Sequence, residues 1–231
     1  MSTPQPFSIH PLELGPMDNF VYLVHDHASD TAAVVDPAWD VGAITAKAEQ
    51  LGVRITDIWL THSHHDHING VGELLEHCDP QLHLLKAEAE FWSRDLQTPS
   101  LYHGGDTLKL GKTDVKILHT PGHTPGSACY QLGDRLITGD TLFVYGCGRC
   151  DMKGGDPEQM YHTLRHLADD LPRSTVIHPG HNYGITPTST LDEQAAGNPF
   201  MHFHDCPKFV NYRMHLHDRD EPYTPVGPDE V

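Results

Sequence analysis

The sequence predicts an α/β fold in the form of a four-layer αββα sandwich. Short β-type runs alternate with amphipathic helical segments in the first half of the chain, and a β-meander occupies the middle. Four groups of potential ligand residues each follow a β-type run, so we expect them to meet at a common sheet edge. With 231 residues, 38% of them hydrophobic, one domain can bury such a core.

The first half of the chain alternates strands with helices. β-rich runs lie at 20–24 and 32–35. A helix is predicted over 40–51, because its apolar residues share one face and Gly52 is placed to end it. We then predict a strand at 55–60, a helix at 70–77, a strand at 82–85, a helix at 87–94 and a break at Thr98-Pro99-Ser100.

The second half begins with the β-meander, for which we predict strands at 107–110, 115–118, 128–132 and 136–138. Asp156 is a suitable N-cap and Pro157 a favourable first helical residue, which predicts a helix as far as Leu167. Two sheet halves, each flanked by helices, complete the sandwich.

A cluster of histidines indicates a metal site. Residues 61–67 read Thr61-His62-Ser63-His64-His65-Asp66-His67, directly after an apolar run. Imidazole nitrogens suit zinc and iron, and a carboxylate adds a harder oxygen ligand. Further potential ligands occur where other β-type runs meet Gly/Pro-rich turns, namely His119, His123, Asp140, His178 and His181.

Composition disfavours several classes of protein. The formal net charge of −17 repels phosphate backbones, although this acidity also suits a merely soluble surface, so we expect no nucleic-acid partner. No apolar run approaches the ~20 residues that a bilayer requires, and no secretory signal is visible, so we expect no membrane association. Five irregularly spaced cysteines indicate reduced thiols and a cytoplasmic location.

The ordered motifs THSHHDH, TPGHTPGS, TGDTLF and HPGHNY resemble the metallo-β-lactamase fold superfamily. GCGR at 146–149 and DPEQMYHTL at 156–164 are similar to its glyoxalase II branch, the hydroxyacylglutathione hydrolases. The resemblance covers residues 15–200 and implies a catalytic domain over 1–200. Residues 201–231, rich in His, Asp and Pro, are predicted to form an irregular C-terminal arm packed on that domain.

The resemblance also implies a ligand set for two divalent metal ions, with zinc expected and iron or manganese as alternatives. His62, His64 and His123 would hold the first ion, Asp66, His67 and His181 the second, and Asp140 would bridge the two. A water between two such ions is deprotonated near neutral pH. The implied nucleophile is therefore a metal-bridging hydroxide, with Asp66 as the catalytic residue that orients it.

The implied reaction is hydrolysis of S-2-hydroxyacylglutathione to glutathione and a hydroxy acid. A thiolate leaves without being protonated, so a site without a general acid suits a thioester. Arg149 matches the residue that meets a glutathione carboxylate in glyoxalase II, and Tyr183 matches the substrate-contacting tyrosine. The alternative for Arg149 is an ion pair with a neighbouring Asp.

The chain departs from glyoxalase II in two places. Cys150-Asp151-Met152 stands where that branch carries an aromatic residue, and the short acidic tail cannot supply its basic C-terminal contacts. Arg149-x-Asp151 instead resembles the GCGRTDF motif of persulfide dioxygenases, which implies a single Fe(II) held by His62, His123 and Asp140.

Several interpretations therefore stay open. We favour the hydrolase because the second ligand set is complete, while a glutathione persulfide dioxygenase, a lactonase or a non-catalytic metal-binding module are the alternatives. Asp36 is expected either to reach the metal loop or to cap its own turn, and His65 to point away from the metals. His119 and His178 are expected to be structural or to support the ligands. Whether the protein is a monomer or a homodimer is not determined by the sequence.

Overall fold

A computed structural model describes residues 5–94, 98–217 and 223–230. Two six-stranded sheets face each other. The first has its strands in sequence order: β1 (Phe7–Leu14), β2 (Asn19–Asp26), β3 (Thr31–Val35), β4 (Arg54–Trp59), β5 (Gln81–Leu85) and β6 (Ser100–Tyr102). β1, β2 and β3 pair antiparallel, whereas β3 to β6 pair in parallel.

The second sheet contains the β-meander and two later strands. Its members are β7 (Thr107–Leu110), β8 (Thr113–His119), β9 (Ala128–Leu132), β10 (Arg135–Gly139), β13 (Val176–Pro179) and β14 (Ser189–Thr190), in the order β14-β13-β10-β9-β8-β7. A small hairpin, β11 (Leu142–Phe143) with β12 (Gly146–Cys147), follows β10.

Helices cover the outer faces of both sheets. They are α1 (Val41–Leu51), α2 (His65–Ile68), α3 (Val71–Cys78), α4 (Lys86–Trp92), α5 (Pro157–Asp170), α6 (Leu191–Gly197) and α7 (Cys206–Asn211). Short 3₁₀ turns lie at Pro199–Met201 and Pro228–Glu230, and a π-helical turn at Tyr212–Leu216. Among the described residues, we find no helix with the length and apolar character that a membrane crossing requires.

Side-chain alternation along β2 explains the layers. Phe20, Tyr22 and Val24 point toward the second sheet and pack between the sheets, while Val21 and Leu23 pack on the helix side. Because both faces are covered, all five are buried. A third apolar cluster joins the outer face of the second sheet to α5 and to the C-terminal helices. The predicted αββα sandwich is thereby confirmed.

Local sequence signals place the helix ends. Asp40 caps α1 by accepting a hydrogen bond from the Ala43 amide at 2.8 Å, and Gly52 ends the helix in a left-handed conformation. Asp156 likewise caps α5, through the amides of Glu158 and Gln159 at 2.9 and 3.0 Å. Both predicted helices are confirmed, and α5 continues beyond Leu167 to Asp170.

Several features of the structure differ from the sequence-based expectations. β1 and α6 were not predicted, and β6 begins at Ser100, inside the predicted break. The arm expected to be irregular contains α7 and the π-helical turn, because Phe209 supplies a fully buried anchor on the α5 side. The division of the chain at residue 200 stays a prediction.

Candidate metal centre

The seven predicted ligands come from four loops at one edge of the sandwich. β8, β10 and β13 run in the same direction, since β8 and β10 are both antiparallel to β9, and β10 is parallel to β13. Their carboxyl ends therefore lie at one edge, which is where ligand-binding loops of such sheets lie. The loop after β4 and helix α2 carry His62, His64, Asp66 and His67, and the loops after β8, β10 and β13 carry His123, Asp140 and His181.

The structure brings these residues together as two clusters. In the first, potential ligand atoms of His62, His64 and His123 lie within 4.8 Å of one another. In the second, His67 Nε2 lies 3.1 Å from His181 Nε2, and Asp66 Oδ2 lies 3.3 Å and 3.4 Å from these two nitrogens.

Asp140 lies between the two clusters. Its Oδ2 is 3.5 Å from His123 Nε2 and 3.4 Å from His181 Nε2, and its Oδ1 is 3.3 Å from His67 Nε2. One carboxylate is thus shared by imidazoles of both clusters.

Hydrogen bonds on the outer side of the imidazoles turn their Nε2 atoms inward. The Nδ1 atoms of His123 and His181 lie 2.7 Å from the carbonyl oxygens of Arg149 and Met17. Because a carbonyl only accepts, each Nδ1 carries a proton, and the Nε2 of the neutral ring would present its lone pair to the centre.

Three buried polar atoms without hydrogen-bond partners in the described part of the chain indicate that the two clusters suit a cation. His62 Nε2, His123 Nε2 and Asp140 Oδ1 are buried and have no hydrogen-bond partner among the residues that the structure describes. Unpaired buried acceptors are costly unless something else binds them. Inward imidazole lone pairs with two carboxylates form a donor set that fits divalent zinc or iron.

The two clusters differ in the pKa values of their histidines. Burial lowers the pKa of His62 well below its ordinary value and that of His123 to about 4, so both are neutral donors. Burial also opposes protonation of His181, but Asp140 and Asp66 outweigh it and raise its pKa to about 9. The second cluster therefore attracts positive charge, which protons satisfy in the absence of a metal ion.

Asp36 ties the two clusters to the first sheet. Its Oδ1 accepts from the Thr61 amide at 2.7 Å, and its Oδ2 from the Thr61 hydroxyl at 2.5 Å and from His67 Nδ1 at 3.1 Å. Since the Thr61 hydroxyl is committed to Asp36, it accepts from His62 Nδ1 at 3.0 Å. One buried carboxylate thus orients histidines of both clusters, so Asp36 reaches the histidine-rich loop rather than only capping its turn.

With this geometry in place, comparison with known proteins assigns the family. The profile of the Metallo-beta-lactamase superfamily matches residues 14–181. The chain belongs to the metallo-β-lactamase superfamily. This confirms the resemblance drawn from its motifs.

Relatives within the metallo-β-lactamase superfamily fall into several branches. The chain is 33% identical over 195 residues to the probable polyketide biosynthesis zinc-dependent hydrolase BaeB of Bacillus velezensis, covering 84% of this chain and 87% of BaeB. It is 38% identical over 170 residues to a hydroxyacylglutathione hydrolase of Synechococcus sp., covering 73% of this chain but only 65% of that enzyme.

The third branch is that of ETHE1, a name carried by persulfide dioxygenases among the mammalian relatives. The crystal structure of ETHE1 from Myxococcus xanthus matches this chain with a TM-score of 0.83 at 28% identity, covering 92% of each chain. Both branches inferred from the sequence are therefore among the relatives.

The remaining histidines of the motifs lie outside the clusters. His65 is exposed. His119 is exposed and its Nε2 lies 2.8 Å from the Pro125 carbonyl oxygen, to which it donates. His178 is buried edge-on to the Tyr22 ring, with a centroid distance of 5.7 Å.

The two predicted substrate residues have different surroundings. Arg149 forms a bidentate ion pair with Asp151, at 3.0 Å for both contacts, so its guanidinium is committed within its own loop. Tyr183 stacks on the His181 imidazole with a centroid distance of 4.5 Å and an interplanar angle of 8°. Tyr183 thus borders the second cluster, whereas Arg149 contributes its carbonyl oxygen to His123.

Sequence reasoning missed four residues at this centre. Buried Glu88 links the Ser63 and Thr124 loops, Asn19 donates to Asp66, and Trp39 donates to Asn19. Tyr223 packs near Phe143 and Tyr183, with centroid distances of 5.9 and 6.5 Å. Glu88 lies within an amphipathic helix and has no local sequence signature. Tyr223 lies in the tail that was expected to be irregular. Only Asn19, at the start of an apolar strand, carried a weak signal.

Proposed function

We propose that this protein is a metal-dependent thioester hydrolase of the glyoxalase II type, cleaving S-2-hydroxyacylglutathione to glutathione and a hydroxy acid. The observation that carries the proposal is the complete second cluster of Asp66, His67 and His181 beside the first, with Asp140 between them. Two ions would use both donor sets, whereas a single ion held by His62, His123 and Asp140 would use only part of them. Two divalent ions, with zinc the expected metal, would be held by the two clusters.

Bound metal ions would supply Lewis acidity toward the thioester carbonyl and a lowered pKa for the attacking water. Asp66 is suited to orient that water. Burial would raise its pKa, but hydrogen bonds from His181, His67 and Asn19 outweigh burial and hold the pKa far below its usual range. Asp66 is therefore ionised at neutral pH and can accept a hydrogen bond from the nucleophile.

The leaving group needs no acid from the protein, since a thiolate is stable near neutral pH. Tyr183, about one-third exposed beside His181, can contact the bound acyl chain or thiol. Arg149 would bind a glutathione carboxylate after exchanging its pairing with Asp151. The zinc-dependent hydrolase and the hydroxyacylglutathione hydrolase among the relatives support this assignment.

The test uses the full chain purified without added metal. We expect loss of thioester absorbance with S-lactoylglutathione, abolition of that activity by a chelator, and its return with zinc. His123→Ala and Asp140→Ala should be inactive while keeping the far-UV circular dichroism of the wild type. His65→Ala is the matched control because this exposed histidine belongs to the same motif. Metal-loaded protein that hydrolyses no thioester contradicts the proposal.

A second candidate is oxidation of glutathione persulfide by a single Fe(II) held by His62, His123 and Asp140. It is favoured by the match to ETHE1 over 92% of both chains, whereas the hydroxyacylglutathione hydrolase extends well beyond the matched part. Iron in the purified protein, with oxygen consumption on glutathione persulfide and no thioesterase activity, would establish this candidate instead.

A further inference from the structure

Trp39 is held in an unusual position beside the second cluster. Its backbone has φ of +65°, a left-handed conformation that bulky residues rarely adopt. Its ring lies against Gly15 in the β1–β2 turn, where an added Cβ would come within 2.4 Å of the indole. A large side chain in this conformation persists only when its surroundings hold it there.

One hydrogen bond connects Trp39 to the end of the helix that carries Asp66 and His67, and a second connects it to Asn19. The Trp39 amide donates to Asn69 Oδ1 at 2.7 Å, and Asn69 directly follows helix α2. The indole Nε1 donates to Asn19 Oδ1 at 2.8 Å. Trp39 therefore contacts the end of helix α2 directly through Asn69 and contacts Asp66 of that helix indirectly through Asn19.

Asn19 connects Trp39 to the Asp66 carboxylate. Its Nδ2 donates to Asp66 Oδ2 at 3.0 Å and to the Asp66 carbonyl oxygen at 3.1 Å. Asp66 Oδ2 is also the atom that faces His67 and His181. Asn19 itself is buried, and its backbone forms a β-bridge with His181, so it contacts two members of the second cluster.

Donor chemistry gives Trp39 a specific role. An amide side chain can present either its oxygen or its nitrogen to a neighbour, and only the nitrogen can donate to a carboxylate. Because an indole N–H can only donate, it requires the Asn19 oxygen as its partner. The Asn19 NH₂ group then faces Asp66 and donates to its carboxylate.

We propose that Trp39 and Asn19 are positioning residues that orient Asp66 for the second metal ion, with Trp39 selecting the amide orientation of Asn19. The inference rests on the proposed two-ion site, and it predicts a selective effect. Loss of the indole donor should weaken binding of the second ion and leave binding of the first unchanged. The residues of the first cluster have no contact with Trp39 or Asn19 among the described hydrogen bonds; they are His62, His64 and His123.

The experiment is a Co²⁺ titration of the metal-free full chain, followed by visible absorption and by tryptophan fluorescence. In wild type we expect two binding steps, the second quenching Trp39 emission. Trp39→Phe keeps an aromatic ring but removes the donor, and should weaken the second step by about tenfold or more, as outer-shell changes do, with the first step unchanged. Asn19→Leu removes the amide and should give the same result.

Trp92→Phe is the matched control. Trp92 is partly buried against the helix side of the first sheet and forms none of the described hydrogen bonds to the residues of either cluster, so both steps should stay as in wild type. A single ion in wild type, an unchanged second step in Trp39→Phe, or equal weakening of both steps with a lowered Tm would each overturn the inference. None of these readouts requires activity, so a failure of thioester hydrolysis alone is distinguishable.

Discussion

Glu88 Oε2 accepts a hydrogen bond from the Thr124 hydroxyl at 2.7 Å, which joins α4 to the loop that carries His123. Its other oxygen accepts from the Ser63 amide at 2.7 Å and from the Ser63 hydroxyl at 2.5 Å, between His62 and His64. Glu88 is fully buried. One carboxylate therefore fixes the spacing of the two loops that supply the first cluster.

Glu88→Ala should lower the free energy of unfolding by about 3 kcal/mol or more, because several buried donors lose their acceptor. It should also reduce metal binding by the first cluster. Urea denaturation and metal analysis measure these effects. Glu90→Ala, on the exposed side of the same helix, removes only a 3.9 Å pair with Lys86 and should change stability by less than about 1 kcal/mol. Equal effects of the two variants would contradict the role of Glu88.

Gly148→Ala should disrupt the metal centre directly. An added Cβ would lie 2.0 Å from the Asp140 carbonyl oxygen and 2.9 Å from His123 Nδ1, so both ligands must move. Displacements of this kind reduce rates by about 100-fold. Thioesterase assays and metal content measure the loss. Gly72→Ala is the control, since nothing lies within 4 Å of the added Cβ and alanine favours the helix; a Gly148→Ala enzyme as active as this control would refute the prediction.

His178 should make stability depend on pH. Burial, with a smaller contribution from Arg135, lowers its pKa to about 4. The unfolded chain therefore binds a proton near pH 6.5 that the folded chain resists until about pH 4, so stability falls as the pH drops through this window, by up to about 3 kcal/mol. His178→Leu should flatten that part of the denaturation profile. An unchanged slope between pH 6.5 and pH 4 in His178→Leu would contradict this prediction.

Asp151→Asn should free the Arg149 guanidinium for a substrate carboxylate. Exposed ion pairs are worth up to about 1 kcal/mol, so the KM for S-lactoylglutathione should fall by at most about fivefold with kcat unchanged. Arg149→Gln should raise this KM. The corresponding thioester of an uncharged thiol is the control substrate, and a KM that responds equally for both thioesters would show that Arg149 does not meet a carboxylate.

Much of the fold could be predicted because its signals are local. The continuous apolar run of β2, the Asp40 and Asp156 caps and the Gly52 terminator depend on neighbouring residues alone. β1 was missed because its apolar residues other than Phe7 are only partly buried and give a weak pattern. α7 was missed because one buried residue, Phe209, anchors it through contacts distant in sequence.

The sequence by itself predicted the type and order of the candidate metal-centre residues, since closely spaced His and Asp after apolar runs are typical of metal sites. Only the tertiary structure decided what orients them. Asp36, Glu88, Asn19 and Trp39 act through hydrogen bonds to residues 20 to 47 positions away in sequence, such as the 3.0 Å contact from Asn19 to Asp66. Donor and acceptor geometry across such separations exists only once the two sheets are packed, so no local pattern in the chain records it.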